Sequence, residues 1–293
     1  MKRRIITTII GLPILIYIVS IGGYALQFTL LIVSIIGMSE FYNAMKHKDT
    51  GSHVVEIDLD ENSDKSKRNV LQFSVSYLGY GFTVLYYAML HLIRVNEMYF
   101  FVLATMLITL SLIAMVIFHG KLDVMDCAVT LFGFLYVAFM MSFIYFVRMQ
   151  VLGKYFVWLI FISAFGCDTF AYFTGKLLGK HKLAPKLSPN KTIEGLIGGL
   201  VGSALLATAF GFVLVKIYDF KDINIVAYCF VVGAVGAVFS TFGDLAASSI
   251  KRDTQIKDFG KIIFGHGGVL DRFDSVIFAA PMMYLMLLIL LNK

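Results

Sequence analysis

Ile223-Asn-Ile-Val-Ala-Tyr-Cys-Phe-Val-Val-Gly-Ala-Val-Gly-Ala-Val-Phe-Ser-Thr-Phe242 carries no charged side chain. As α-helix, at about 1.5 Å per residue, such a run crosses the roughly 30 Å of a bilayer's hydrocarbon. Only helices and closed barrels satisfy every backbone group in lipid, and the period-two alternation of a barrel strand is absent. Working outward, eight more long apolar runs appear, some with a single charged residue: Ile5–Ile21, Tyr24–Met38, Val70–Ile93, Met98–Phe118, Val124–Val147, Tyr155–Gly175, Gly195–Ile217 and Phe273–Leu291. The expectation is an all-α polytopic membrane protein of about nine transmembrane helices. The second run is short and joined to the first through Gly22-Gly23, as in a tilted hairpin.

Composition agrees. Apolar residues make up 59% of the 293 and charged ones 15%, with a mean hydropathy of +0.82. A soluble domain has about 45–50% and 25%. Orientation follows from Lys and Arg, which collect on the cytoplasmic side. With the N-terminus inside, nineteen of the 25 fall in cytoplasmic segments; Arg94, Arg148, Lys154, Lys216, Lys221 and Lys293 fall on the other side. The N-terminus is therefore expected in the cytoplasm and the C-terminus opposite. The net charge of +6 then reports topology and anionic lipid, not nucleic acid. Lys2-Arg3-Arg4 before an apolar run resembles a signal peptide, but the run is long and the cleavage site weak, so it reads as an uncleaved span. Cys127, Cys167 and Cys229 lie inside spans without paired spacing and read as reduced packing residues.

The chain reads as one membrane domain, residues 1–293, with a helical scaffold over 1–150 and the chemistry over 151–293. Two cytoplasmic loops, 176–194 and 243–272, carry that chemistry. The polar insert Glu40–Asn69 reads as a solvated connector; its Asp58-Leu-Asp60 opening lacks the Gly and Glu of a calcium loop. Gly195, Gly198, Gly199 and Gly202 have small-xxx-small spacing, which points to close helix packing.

Between the last two apolar runs stand Ser248, Lys251-Arg252, Lys257-Asp258, then His266-Gly267-Gly268 and Asp271-Arg272-Phe-Asp274. Carboxylates hold hard cations, Lys and Arg pair phosphate oxygens, and a Gly-rich turn lets backbone N–H groups approach an anion. This run resembles the signature of the phosphatidate cytidylyltransferase (CDP-diacylglycerol synthase) family, to which Gly260 and Ile263 also conform. Phe264 departs from it, since the family usually has Pro or Gly there. Ser188-Pro-Asn-Lys191-Thr192-Ile-Glu194-Gly is similar to a second block of the family. Lys180, Lys182 and Lys186 beside it read as positive-inside charge.

Asp168 lies about seven residues, roughly 10 Å, inside its span, where a carboxylate is costly unless paired or bound to a cation. Asp244 ends the eighth span, and both helices point their negative dipole ends to the same side. A structural hydrogen bond for Asp168 and a solvated helix end for Asp244 are the plain alternatives. His266 reads either as a general base or as a turn residue. No Walker A, kinase, nucleophile-elbow or zinc-protease pattern is present.

What the resemblance implies is a nucleotidyltransferase of phospholipid biosynthesis in a bacterial cell membrane, joining CTP and phosphatidic acid into CDP-diacylglycerol and pyrophosphate. Its cofactor is Mg²⁺, with a second cation open, and its partners are CTP, phosphatidic acid and membrane lipid, with a homodimer open. The metal set is Asp244, Asp271, Asp274 and Asp168. The catalytic set is Asp244, Asp271, Lys251, Arg252, Arg272 and His266. Lys191, Thr192, Ser248, Lys257, Gly267 and Gly268 would bind substrate. A CTP-dependent lipid kinase and a cation-coupled transporter are the competing readings; acidic groups gathered at one face disfavour the transporter.

Overall fold

The computed structural model describes residues 2–51, 61–218, 224–262 and 267–291. His266, Phe264, Ile263 and residues 58–60 lie outside them. Each of the nine expected apolar runs corresponds to a helix among the described residues, with Ile223 at the start of one run lying outside them. The helices are α1 (Lys2–Ile21), α2 (Gly23–Gly51), α3 (Glu61–Val95), α4 (Met98–Ile117), α6 (Gly153–Leu178), α7 (Ile193–Ile217), α8 (Ile225–Asp253) and α9 (Leu270–Leu291). The ninth, α5 (Val124–Met149), is one long helix with a π-helical stretch at Phe134–Phe139. Among the described residues, α2 and α4–α9 are long and apolar enough to cross a membrane. The protein is an all-α polytopic membrane protein.

Several helices outrun their apolar segments. The second span is not short, because α2 continues through Lys46, and Glu40 sits within it, 4% exposed. Glu40 is therefore no part of a solvated connector. Likewise α8 continues to Asp253 and α9 begins at Leu270, so the expected loop 243–272 is two helix ends around a shorter link. Hydropathy marks where a helix is greasy, not where its hydrogen bonds stop.

The described part of the scaffold half is packed with aromatic side chains, and Tyr86 and Tyr87 among them pair their polar tips. Tyr86 and Tyr87 of α3 are fully buried. Tyr86 Oη shares a hydrogen bond with Ser142 Oγ at 2.6 Å. Tyr87 Oη meets Ser34 Oγ at 2.8 Å and donates to the Ala138 carbonyl at 3.1 Å, inside the π-helical stretch. At the far end Arg148 donates to the carbonyls of Val19, Ser20 and Ile21 at 3.0, 2.9 and 3.4 Å. It thereby closes the C-terminus of α1, where a cation is favoured. Gly22 follows with φ +68°, and a Cβ there would strike the Arg148 guanidinium. This is the tight joint expected of Gly22-Gly23.

The other half packs through small residues. Gly195, Gly198, Gly199 and Gly202 of α7 lie against Ala171, Thr174, Cys167 and Phe170 of α6, so the glycine pattern does mark close helix packing. Ser203 of α7 donates to the Gly233 carbonyl of α8 at 3.1 Å and the Ser163 carbonyl of α6 at 3.4 Å. All three cysteines are free and buried, as expected. Between α6 and α7 the expected loop contains a hairpin, β1 (Lys182–Ala184) antiparallel to β2 (Ser188–Thr192), pairing Lys182 with Thr192 and Ala184 with Ser188. The C-terminal parts of α2, α6 and α8 and the N-terminal parts of α7 and α9 gather at the hairpin end of the bundle.

Candidate active site

On α8, Asp244, Ser248 and Lys251 are spaced i, i+4, i+7 and share a face. Ser248 Oγ donates to Asp244 Oδ1 at 3.4 Å. Asp244 Oδ2 is met by Lys191 Nζ, from β2, at 2.5 Å. Both side chains line a cavity of about 470 Å³ among α6, α7, α8 and the hairpin, together with Asp168, Lys176, Asn190 and Thr192. Asp168 thus faces the cleft rather than the scaffold or lipid.

Asp274 is 8% exposed and accepts the Ser275 backbone N–H at 2.8 Å. Ser275 Oγ lies 3.5 Å from Asp168 Oδ2, so one serine joins the two aspartates. Asp168, Asp244 and Asp274 lie within one another's electrostatic reach. Among the described residues, no three Asp, Glu, His or Cys side chains already enclose a point where an ion would fit.

Asp271 behaves differently from the other three. Its Oδ1 accepts from Lys251 Nζ at 2.8 Å, and its Oδ2 from the backbone N–H of Phe259 and Gly268 at 2.8 and 3.0 Å. From the first turn of α9 it reaches back and anchors the link between α8 and α9. Glu40 completes this anchor from α2, accepting the N–H groups of Val269 and Leu270 at 3.0 and 2.8 Å. A methyl on Gly260 or Gly268 would run into the Glu40 carboxylate. Those glycines are thus required by a close approach, and Gly267 by its φ of +83°.

The remaining expected site residues divide. Arg272 stands in the first turn of α9, close enough to Asp168 to act on its charge. Thr192 lines the cavity, but its hydroxyl caps α7 by accepting from Gly195 N–H at 3.1 Å. Arg252 donates through Nε to the Leu187 carbonyl at 3.2 Å and so holds the hairpin onto α8. Lys257 is exposed in the link. Glu194 accepts from the backbone N–H groups of Lys180 and His181 and pairs with His181 Nδ1 at 2.6 Å, a clasp on the hairpin's base. Sequence reasoning missed Glu40; its signal is a carboxylate directly followed by Phe41 and Tyr42, two residues beyond an unbroken apolar run.

Helices long and apolar enough to cross a membrane, with carboxylates and lysines converging on a cavity at one end of the bundle, define a membrane protein with a charged cavity. The chain belongs to the cytidylyltransferase family, whose model matches residues 2–290. It is 38% identical over 174 residues to the phosphatidate cytidylyltransferase of Staphylococcus haemolyticus, covering 59% of this chain and 64% of that protein. To the Staphylococcus aureus (strain COL) protein of that name it is 38% identical over 186 residues, covering 62% and 68%. With the Bacillus subtilis one it shares 41% over 150 residues, covering 50% and 54%. The chain thus spans just under two thirds of the length of the first of these relatives.

Proposed function

We propose that the protein is a phosphatidate cytidylyltransferase, converting CTP and phosphatidic acid into CDP-diacylglycerol and pyrophosphate. The observation that carries this reading is the cavity in which Asp168, Asp244 and Lys191 stand together. It offers carboxylates for a cation and an ammonium for a phosphate at one place. The family and the names of the relatives support the substrates.

Mg²⁺ is the cation of this proposal. Asp168, Asp244 and Asp274 fit it, being oxygen donors in one another's field, and Asp244 already draws a cation onto itself. Asp271 fits less well as a ligand, since three donors hold it. The ion would neutralise and polarise the α-phosphate. Lys191, exchanging Asp244 for phosphate, and Arg272 orient the triphosphate and the lipid phosphate. An oxygen of phosphatidate bonds to the α-phosphorus while the bond to the bridging oxygen breaks, and pyrophosphate leaves with the electron pair. The attacking oxygen is already anionic, so the work is positioning and charge stabilisation.

The site end faces the cytoplasm in this reading. Lys176, Lys180, Lys182, Lys186, Lys191, Lys251 and Arg252 belong to that end, whereas Arg148 lies at the opposite one. The test is purified protein in detergent with phosphatidic acid, Mg²⁺ and α-labelled CTP. Label entering the lipid phase with equimolar pyrophosphate supports the proposal. CDP with phosphorylated lipid would make it a kinase, and no turnover without an ion gradient would favour transport.

A further inference from the structure

Tyr136 lies in the π-helical stretch of α5, on the scaffold side of the site. Its ring is 5% exposed, stacked on Phe132 with centroids 5.5 Å apart and edge-on to Phe41 and Phe278 at 6.0 and 6.4 Å. Phe278 is one turn beyond Asp274 on α9, so the ring stands beside the helix face that presents that carboxylate. The Tyr136 hydroxyl is within electrostatic reach of Asp274, Asp244 and Asp271, with Asp274 acting on it most strongly. Among the described residues it has no hydrogen-bond partner. The neighbouring buried tyrosines Tyr42, Tyr86 and Tyr87 all have one. A buried hydroxyl without a partner is costly, and π-helical turns recur at functional sites because they re-aim a side chain.

We propose that Tyr136 is a positioning residue for Asp274. Its hydroxyl donates to the Asp274 carboxylate when the cation site fills, and holds that carboxylate turned toward Asp244 and Asp168. Asp274 Oδ1 accepts the Ser275 backbone N–H, and a second donor, from α5, fixes the rotation of the carboxylate. The π-helical stretch delivers the hydroxyl, and the three surrounding rings keep it there. This inference rests on the proposed cation site.

The experiment is Tyr136→Phe, which keeps the ring and its packing and removes only the hydroxyl. Mn²⁺ binding to detergent-purified protein, read as loss of the free-ion electron paramagnetic resonance signal, should weaken about tenfold, as loss of an outer-shell partner does. The unfolding temperature without divalent cation should stay where it is, since the hydroxyl holds nothing in that state. In an Asp274→Asn background the same change should weaken Mn²⁺ binding no further. Unchanged Mn²⁺ affinity in Tyr136→Phe overturns the inference. So does a drop in unfolding temperature, which would make the role one of packing, or a second tenfold loss in the Asp274→Asn background. Wild-type protein that binds no Mn²⁺ would instead overturn the cation site, and the inference with it.

Discussion

Two aspartate–lysine pairs stand on the same helix face, seven residues or about two turns apart at their α8 ends, and they differ in how open they are. Asp244 and Lys191 meet at 2.5 Å with their side chains 26% and 25% exposed, on the wall of the cavity. Asp271 and Lys251 meet at 2.8 Å with 5% and 14% exposed. Asp271 also takes two backbone N–H groups, and the Lys251 ammonium lies 5.4 Å from the centre of the Phe259 ring. An open pair can trade its partner for a cation or a phosphate at small cost. A closed pair cannot, because either ion left alone in a dry site is strongly unfavourable. In the proposed function the first pair is machinery and the second a clasp.

The sharpest way to break that contrast is Asp244→Asn beside Asp271→Asn. Asp244→Asn should lower turnover on the order of 10³-fold, as expected where a charged group stabilises the reacting centre, with the unfolding temperature nearly unchanged. Asp271→Asn should instead cost about 3 kcal/mol of stability, the loss typical of breaking a buried pair. It should also open residues 254–262 to proteolysis. Activity, thermal unfolding and limited proteolysis on the two variants decide it. Equal stability with equal loss of turnover would mean Asp271 belongs to the ligand set after all.

A smaller effect is expected at Glu40→Gln. The amide keeps one acceptor for the Val269 or Leu270 N–H but loses the charge at the N-terminus of α9, worth about 1–2 kcal/mol in a partly buried setting. Thermal unfolding should show that loss, and half-saturation for CTP should rise because the α9 turn carries Arg272. A variant as stable as wild type would detach Glu40 from the clasp.

Glu40 also marks the boundary of what the sequence discloses. The nine helices among the described residues are legible because a bilayer demands unbroken apolar runs, and the α6–α7 contact because four glycines are spaced for it. The convergence of Asp168 and Asp244 is legible too, since helix direction sends both to the same end. Glu40 meets Val269 across 229 positions of chain, and no local pattern carries a pairing of that separation. Helix ends are hidden for a related reason: α8 turns polar at Asp244 but keeps its hydrogen bonds to Asp253, so the residues that look like a loop are a helix face. Tyr136 is hidden because a π-helical turn, not a residue type, aims it.

The smallest expected effect lies in the hairpin, and it tests whether Lys191 is singular or one cation in a positive field. Lys182 Nζ donates to the Pro189 carbonyl at 2.6 Å, an exposed bond within the hairpin itself. Lys191 instead reaches across to α8. Lys182→Ala should therefore change turnover and half-saturation for CTP by no more than about twofold, since an exposed hydrogen bond contributes little net. Lys191→Ala should raise half-saturation for CTP about tenfold or more, because it removes a charge-assisted phosphate contact. It also leaves Asp244 without its cation, so its turnover should recover in part as Mg²⁺ is raised, whereas Lys182→Ala should show no such response. Matching losses in the two variants, with no rescue by Mg²⁺ in either, would make the hairpin a diffuse positive surface. The open pair would then lose its claim to be machinery.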